Sequence, residues 1–195
     1  MTPKQFRAAT GCTAAKVSEH FDAALYAMTL FGLSGQNVTA AFLANIAHET
    51  LGLFYSEEVW GPTAAQRRYE GPGDLARTLG NTVRGDGLRY RGRGPIQLTG
   101  RANYRRATTD LRKALATMAN RPIPLARVPD FEASPNAVSA PTWGWLLAVQ
   151  FFVSRGCVAR AEAGDFDGVC RLINGGVNGL ADRRARYAVA RKALA

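Results

Sequence analysis

The feature that most constrains this chain is an interruption of its own pattern. Residues 51–94 carry Gly52, Gly61, Pro62, Gly71, Pro72, Gly73, Gly80, Gly85, Gly87, Gly92 and Gly94, and no apolar period survives through them. So long an irregular stretch inside a domain is uncommon and usually functional. The chain on both sides has helical periodicity. The expected architecture is therefore mainly α: two helical lobes, an irregular central segment, a substrate cleft and at most a small β element.

The flanking helices can be placed from their caps. Thr2-Pro3 starts a helix over 3–9 that Gly11 ends. Thr13 caps a second, running to about residue 31, with Val17, Phe21, Leu25 and Met28 on one face. Asn37 or Thr39 caps a third that reaches 48–50. A short helix fits 74–79, and two more fit 101–107 and 110–118. A Pro-rich connector over 121–135 precedes an apolar helix at 143–154. Asp165 caps a helix to about 173, and the basic segment 182–194 forms the last, with Ala185, Val189 and Ala193 as its apolar line.

Composition narrows the class. With 195 residues, one domain is expected, and 47% hydrophobic with 21% charged residues is globular. The formal charge is +10, from 25 basic and 15 acidic residues, and favours a polyanionic partner. Nucleic acid is not expected, because no recognition helix dense in Arg or Lys stands out before the last fifteen residues. Arg91-Gly92-Arg93-Gly94 matches neither phosphate-loop pattern, so nucleotide binding is a weak reading. Three cysteines and two histidines without ligand spacing argue against a disulfide framework or a metal site, and no cofactor is expected. No run approaches the ~18 apolar residues of a membrane span. The N-terminus lacks the apolar core of a signal peptide, so synthesis in the cytoplasm is expected.

Three places carry candidate chemistry. On a helix, Val38, Phe42, Ile46 and Glu49 fall on one line. A carboxylate ending a core stripe is costly when unpaired, and the helix C-terminus disfavours an anion. Glu49 is thus either a candidate proton donor or a solvated residue at a frayed end. Glu57-Glu58 follows a break at Leu51-Gly52 that lets the chain fold back; one of this pair is expected to face solvent only. Two carboxylates flanking a bond are the minimum for glycoside hydrolysis. In the segment from Tyr90 to Tyr104, an extended 95–99 sets Ile96 and Leu98 on one side and Gln97 and Thr99 on the other. The amide and hydroxyl could then position a water or a sugar.

The ordered set His48-Glu49-Thr50, Glu58, Tyr-Arg-Gly-Arg-Gly-Pro-Ile-Gln-Leu-Thr-Gly-Arg-Ala-Asn-Tyr over 90–104, Ile-Asn-Gly-Gly over 173–176 and Asp-Arg-Arg-Ala-Arg-Tyr over 182–187 resembles glycoside hydrolase family 19. That family holds chitinases and bacteriophage endolysins. The resemblance runs from about residue 3 to the C-terminus and is nearest to single-domain endolysins of phages with Gram-negative hosts.

The resemblance implies a lysozyme-like fold and inversion at the anomeric carbon. It implies Glu49 as general acid, Glu58 as general base with Glu57 a bystander, and Thr99 as a holder of the attacking water. It places His48, Tyr90, Gln97, Asn103, Asn174 and Arg183 among the substrate-site residues. Asn174 also reads as a helix C-cap and Arg183 as a surface charge. Plant chitinases of the family have a glutamate where this chain has Asn178, and long disulfide-bearing insertions between the two glutamates that it lacks. Both departures fit an enzyme of peptidoglycan. The expected substrate is the β-1,4 glycan strand, attacked in the periplasm by a monomeric catalytic domain spanning 1–195, without a separate wall-binding module and drawn to the anionic envelope by its charge. Chitin is the alternative substrate. A basic nucleic-acid-binding domain is the alternative of another class.

Overall fold

The computed structural model describes residues 1–118 and 123–195; the start of the Pro-rich connector, at 121–122, lies outside them. Eleven α-helices occur among the described residues: α1 Pro3–Thr10, α2 Ala14–Leu30, α3 Gln36–Thr50, α4 Ala64–Arg67, α5 Asp74–Leu79, α6 Asp86–Arg89, α7 Arg101–Ala116, α8 Pro141–Ser154, α9 Cys157–Glu162, α10 Phe166–Asn174 and α11 Leu180–Ala193. Strand-like pairing among them is limited to two isolated bridges. The fold is mainly helical and lysozyme-like. None of the described helices is long and apolar enough to cross a membrane.

These residues fall into two units, one of Met1–Tyr55 with Ala148–Ala195, the other of Ser56–Leu147. The first is built around α3. Nearly every residue from Val38 to Ala47 is buried, and Ala40, Ala41, Ala44 and Ala47 are small enough to let α1 and α11 pack close. A helix that is apolar all round belongs in the middle. Phe42 meets Phe152 edge to face at 5.3 Å, and Phe166 of α10 stacks on Tyr187 of α11 at 4.2 Å.

The second unit is built on the chain's most irregular stretch, which contains α4, α5 and α6. Thr63 and Gln66 form a capping box that starts α4. Asp86 accepts from the backbone of Thr82 and Val83 and from Arg101, folding that loop onto α7. Tyr90, Tyr104, Leu111, Leu115 and Phe131 form its apolar interior.

The structure corrects several boundaries. Gly35, not Asn37 or Thr39, caps α3; both side chains lie inside its first turn, and Thr39 is buried. The expected pair of helices over 101–118 is one, because Thr108 turns its hydroxyl back to the Tyr104 carbonyl and does not interrupt it. Helices α4, α6 and α9 have no counterpart among the sequence expectations, and α11 begins two residues early. On α11 the buried side chains are Arg183 and Ala190, while Val189 is 56% exposed, so the expected apolar line faces water.

Candidate active site

Glu49 stands in the last turn of α3, where the chain reverses sharply. Leu51, Gly52 and Leu53 all have positive φ, a conformation that costs the two leucines of order 1–3 kcal/mol each. Thr50 holds the reversal: its hydroxyl donates to the Ile46 carbonyl at 2.7 Å and accepts from Leu53 N–H at 2.8 Å. Glu49 is half-buried and paired. Arg183 of α11, 2% exposed, donates to Glu49 Oε1 through one nitrogen and to Asn45 Oδ1 at 2.6 Å through the other. Asn45 sits one turn before Glu49 and donates to Ala41 O at 2.8 Å, which fixes its amide. The cost of ending a core stripe in a carboxylate is thus met by a buried guanidinium.

His48 lies beside the acid. Its Nδ1 is 2.6 Å from Asp182 Oδ2, and its ring packs on Gly179, where a Cβ would come within 2.6 Å of Nε2. Hydrogen bonds from His48 and Arg186 hold the Asp182 carboxyl below its usual range. An ionised Asp182 accepts, so Nδ1 carries the proton. Asn174 ends α10 and donates to Asn178 O at 3.2 Å, closing the loop that leads into α11.

In the second unit, Glu58 is displayed by the glycine-rich segment. Glu58 N–H donates to Gly92 O at 2.8 Å, and Gly92 N–H returns a bond to Glu58 Oε2 at 3.0 Å. Gln66 Nε2 donates to Oε1 at 3.0 Å. Burial and then the nearby Glu58 carboxylate push the Tyr69 phenol above its ordinary range, so the phenol stays protonated beside it. Gly92 is the centre of the arrangement. A Cβ there would lie 2.8 Å from Gln97 Oε1 and 3.4 Å from both Glu58 Cβ and Thr99 Oγ1. Thr99 Oγ1 donates to Gln97 O at 2.8 Å, leaving its lone pairs to accept. Asn103 donates to Thr99 O at 2.7 Å.

The expected extended 95–99 is a turn. Arg93 bridges Leu98 across it and Gln97 has φ 51°, held by two bonds to Gly94 O at 3.0 Å. Gln97 and Thr99 still meet at Gly92, by turn geometry and not by strand alternation.

Two further expectations are corrected. Glu57 is no solvated bystander. Arg91 donates to its Oε1 and Arg93 Nε to its Oε2 at 2.8 Å, and Arg93 is 2% exposed. A buried guanidinium needs a counter-charge, and Glu57 supplies it. Arg93 also donates to Arg89 O at 2.7 Å and to the Tyr104 hydroxyl at 3.0 Å. Tyr90, expected at the substrate site, is 1% exposed, donates its hydroxyl to Glu132 O at 3.1 Å and packs edge to face on Tyr104. It is a packing residue. Arg183 likewise reaches its surroundings only through Asn45 and Glu49 among the described bonds.

Sequence reasoning missed Asn45, Gln66, Tyr69 and Asp182. Asn45 carried a signal: one helical turn before Glu49, it is a polar residue in an otherwise apolar helix. Gln66 and Tyr69 lie in a stretch where no period announces the course of the chain, and nothing local marks out Asp182 in the first turn of α11. Among the described residues, no cluster of three or more His, Cys, Asp or Glu side chains is placed to hold a metal.

Comparison with known proteins gives this geometry a family. The profile described as Chitinase class I, Glyco_hydro_19, matches residues 4–152. A glycosyl hydrolase family 19 domain-containing protein of Haemophilus influenzae is 32% identical over 155 residues, covering 75% of this chain and 68% of that one. The crystal structure of chitinase C from Streptomyces griseus HUT6037 is similar at TM-score 0.69 and 25% identity, over 99% of this chain and 76% of that one. A bacterial family 19 chitinase shares the fold at TM-score 0.65 and 23% identity, over 99% of this chain and 94% of that one. The family match and the fold are those of a glycoside hydrolase. The chain belongs to glycoside hydrolase family 19.

Proposed function

We propose that the chain is an endolysin that hydrolyses β-1,4 bonds of the peptidoglycan glycan strand by single displacement. Glu49 gives its proton to the glycosidic oxygen. Glu58 takes a proton from a water that attacks the opposite face of the sugar. Thr99, its own proton committed to Gln97 O, accepts from that water and orients it. Gln97, Asn103 and Asn174 offer amides to the sugar, and His48 borders the acid.

The observation that carries this assignment is the contrast between adjacent carboxylates. Glu57 is bound by two guanidinium groups, whereas Glu58 is held by the neutral donors Gln66 and Gly92, beside the Tyr69 phenol and the Thr99 hydroxyl. Only Glu58 is left with a charge not taken up by a cation and a hydroxyl next to it. Residues 1–195 act in this reading as one monomeric catalytic domain in the periplasm. A net charge of +10 concentrates it on the anionic envelope.

The test is digestion of purified sacculi. Mass spectrometry of the fragments should show new reducing ends within the glycan, and NMR of the first product should show an inverted anomer. Intact glycan, or a retained anomer, overturns the proposal. A second reading, chitin cleavage, is favoured by the chitinase identity of the similar solved structures. Rates on chitin oligomers and on sacculi, measured side by side, separate the two.

A further inference from the structure

A pocket of about 780 Å³ opens in the Ser56–Leu147 unit, lined by none of the residues given roles in the reaction above. Trp60, Pro62, Pro72, Val83 and Leu88 make its walls largely apolar. Val83 and Leu88 are exposed there, although a loop so rich in glycine and charge has no need of apolar side chains facing water. Arg84 lines the same pocket, is exposed and forms no ion pair among the described residues. Glu70 also borders it, but its two oxygens accept from Gly85 and Gly87 N–H at 3.0 Å, so that carboxylate is bound into the wall and shapes the loop that carries Arg84. Glu70 is committed to those N–H groups; the exposed charged group at the pocket is the Arg84 guanidinium, and the wall around it is largely apolar. The pocket adjoins the Glu58 site through one pair of rings: Trp60 lies 6.2 Å from Tyr69, whose phenol neighbours the Glu58 carboxylate.

A plain sugar ring presents hydroxyls and no charge. An apolar wall with one free guanidinium is complementary instead to a carboxylate carried on small aliphatic groups. We propose that this pocket receives the acidic peptide branch of the glycan strand, with Arg84 binding a carboxylate and Trp60, Val83 and Leu88 packing on the aliphatic side chains. This rests on the peptidoglycan reading. On that basis the pocket makes the enzyme prefer peptide-bearing strands over bare ones.

The experiment compares glycan strands with peptide branches intact against the same strands stripped by an amidase. Arg84→Gln should lower kcat/KM on branched strands about tenfold, the loss of one charge-assisted bond, and change the stripped strands less than about twofold. Equal losses on both, or none on either, overturn the proposal. Binding is read separately by titrating the intact protein with N-acetylmuramoyl dipeptide and following the Trp60 indole N–H by NMR. The resonance should shift in the unmodified protein, with an affinity reduced about tenfold in Arg84→Gln. Strand cleavage without that shift removes the pocket assignment and leaves the hydrolase reading intact. The shift without strand cleavage does the reverse.

Discussion

Arg183 joins Asn45 to Glu49, one nitrogen on the amide and another on the carboxylate, from a position 2% exposed to solvent. The proposed acid is therefore aimed by a residue that substrate does not reach, and the two contributions are separable.

Glu49→Gln should lower the rate on natural glycan by about 10²–10⁴, with the fold intact. A substrate whose leaving group departs without protonation should recover much of that loss. Arg183→Lys keeps the charge but not the fork, and should lower kcat by up to ~100-fold through misplacement of Glu49 while KM holds. One ammonium cannot keep both bonds of the guanidinium, to Asn45 and to Glu49, so the loss should fall on kcat and not on KM. An unchanged kcat would show that Arg183 serves stability alone.

The paired glutamates after the break should respond in opposite ways. Glu58→Gln should abolish turnover and leave the denaturation midpoint nearly unmoved. Glu57→Gln strands Arg93 without its counter-charge. Breaking a buried pair costs about 3–5 kcal/mol, and the partial exposure of Glu57 reduces that to about 1–3 kcal/mol here. Urea unfolding of the two variants checks this; a stable but inactive Glu57→Gln would exchange their roles.

Asp86 makes the second unit sensitive to acid. Burial works against its charge, but the bond from Arg101 and the N–H groups of Val83 and Thr82 outweigh it and hold its carboxyl below the usual aspartate range. A folded value below the unfolded one means that protonation favours the unfolded chain. The stabilisation is complete above the unfolded pKa of about 3.9 and is lost as pH falls through the lower folded value. Asp86→Asn should be less stable at pH 7 and flatter between pH 4 and lower pH. Parallel curves for the two proteins would assign the acid sensitivity elsewhere.

The surface charge of α11 is smaller than its sequence suggests. Arg184 is paired with Asp167 and Arg186 with Asp182, whereas Arg191 and Lys192 form no ion pair among the described residues. Neutralising Arg191 and Lys192 together should weaken adsorption to sacculi and reduce its salt dependence, sparing turnover of short soluble fragments. Equal losses on both substrates would tie this end of the helix to folding or catalysis.

These results show which physical signals a sequence displays. Caps and glycine stops located the ends of α1, α2 and α10, because they act within a few residues. Glu49 was visible as a charge on an apolar line, and its reversal at Leu51-Gly52 as a break. Its partner was not, since nothing local distinguishes a buried Arg183 from the exposed arginines beside it; the family resemblance supplied that neighbour. Glu57 misled for the same reason. Its environment is made by Arg91 and Arg93, more than thirty residues downstream, and a carboxylate pair looks alike whether it meets water or guanidinium. The turn at 94–97 defeated the alternation rule because Gln97 adopts a positive φ that its residue type does not announce.

The ion pair on Glu49 also sets a time. Glu49 and Arg183 are 134 positions apart, so a ribosome that has placed the carboxylate must add all of those residues before its guanidinium exists. At roughly 5–20 residues per second, that is on the order of ten seconds during which α3 is made and its acid end lacks the partner that aims it. A nascent chain, or one cut short before α11, carries the sequence of the proposed proton donor without its assembled form. The residue proposed to give up the proton is thereby armed by the last helix of the fold.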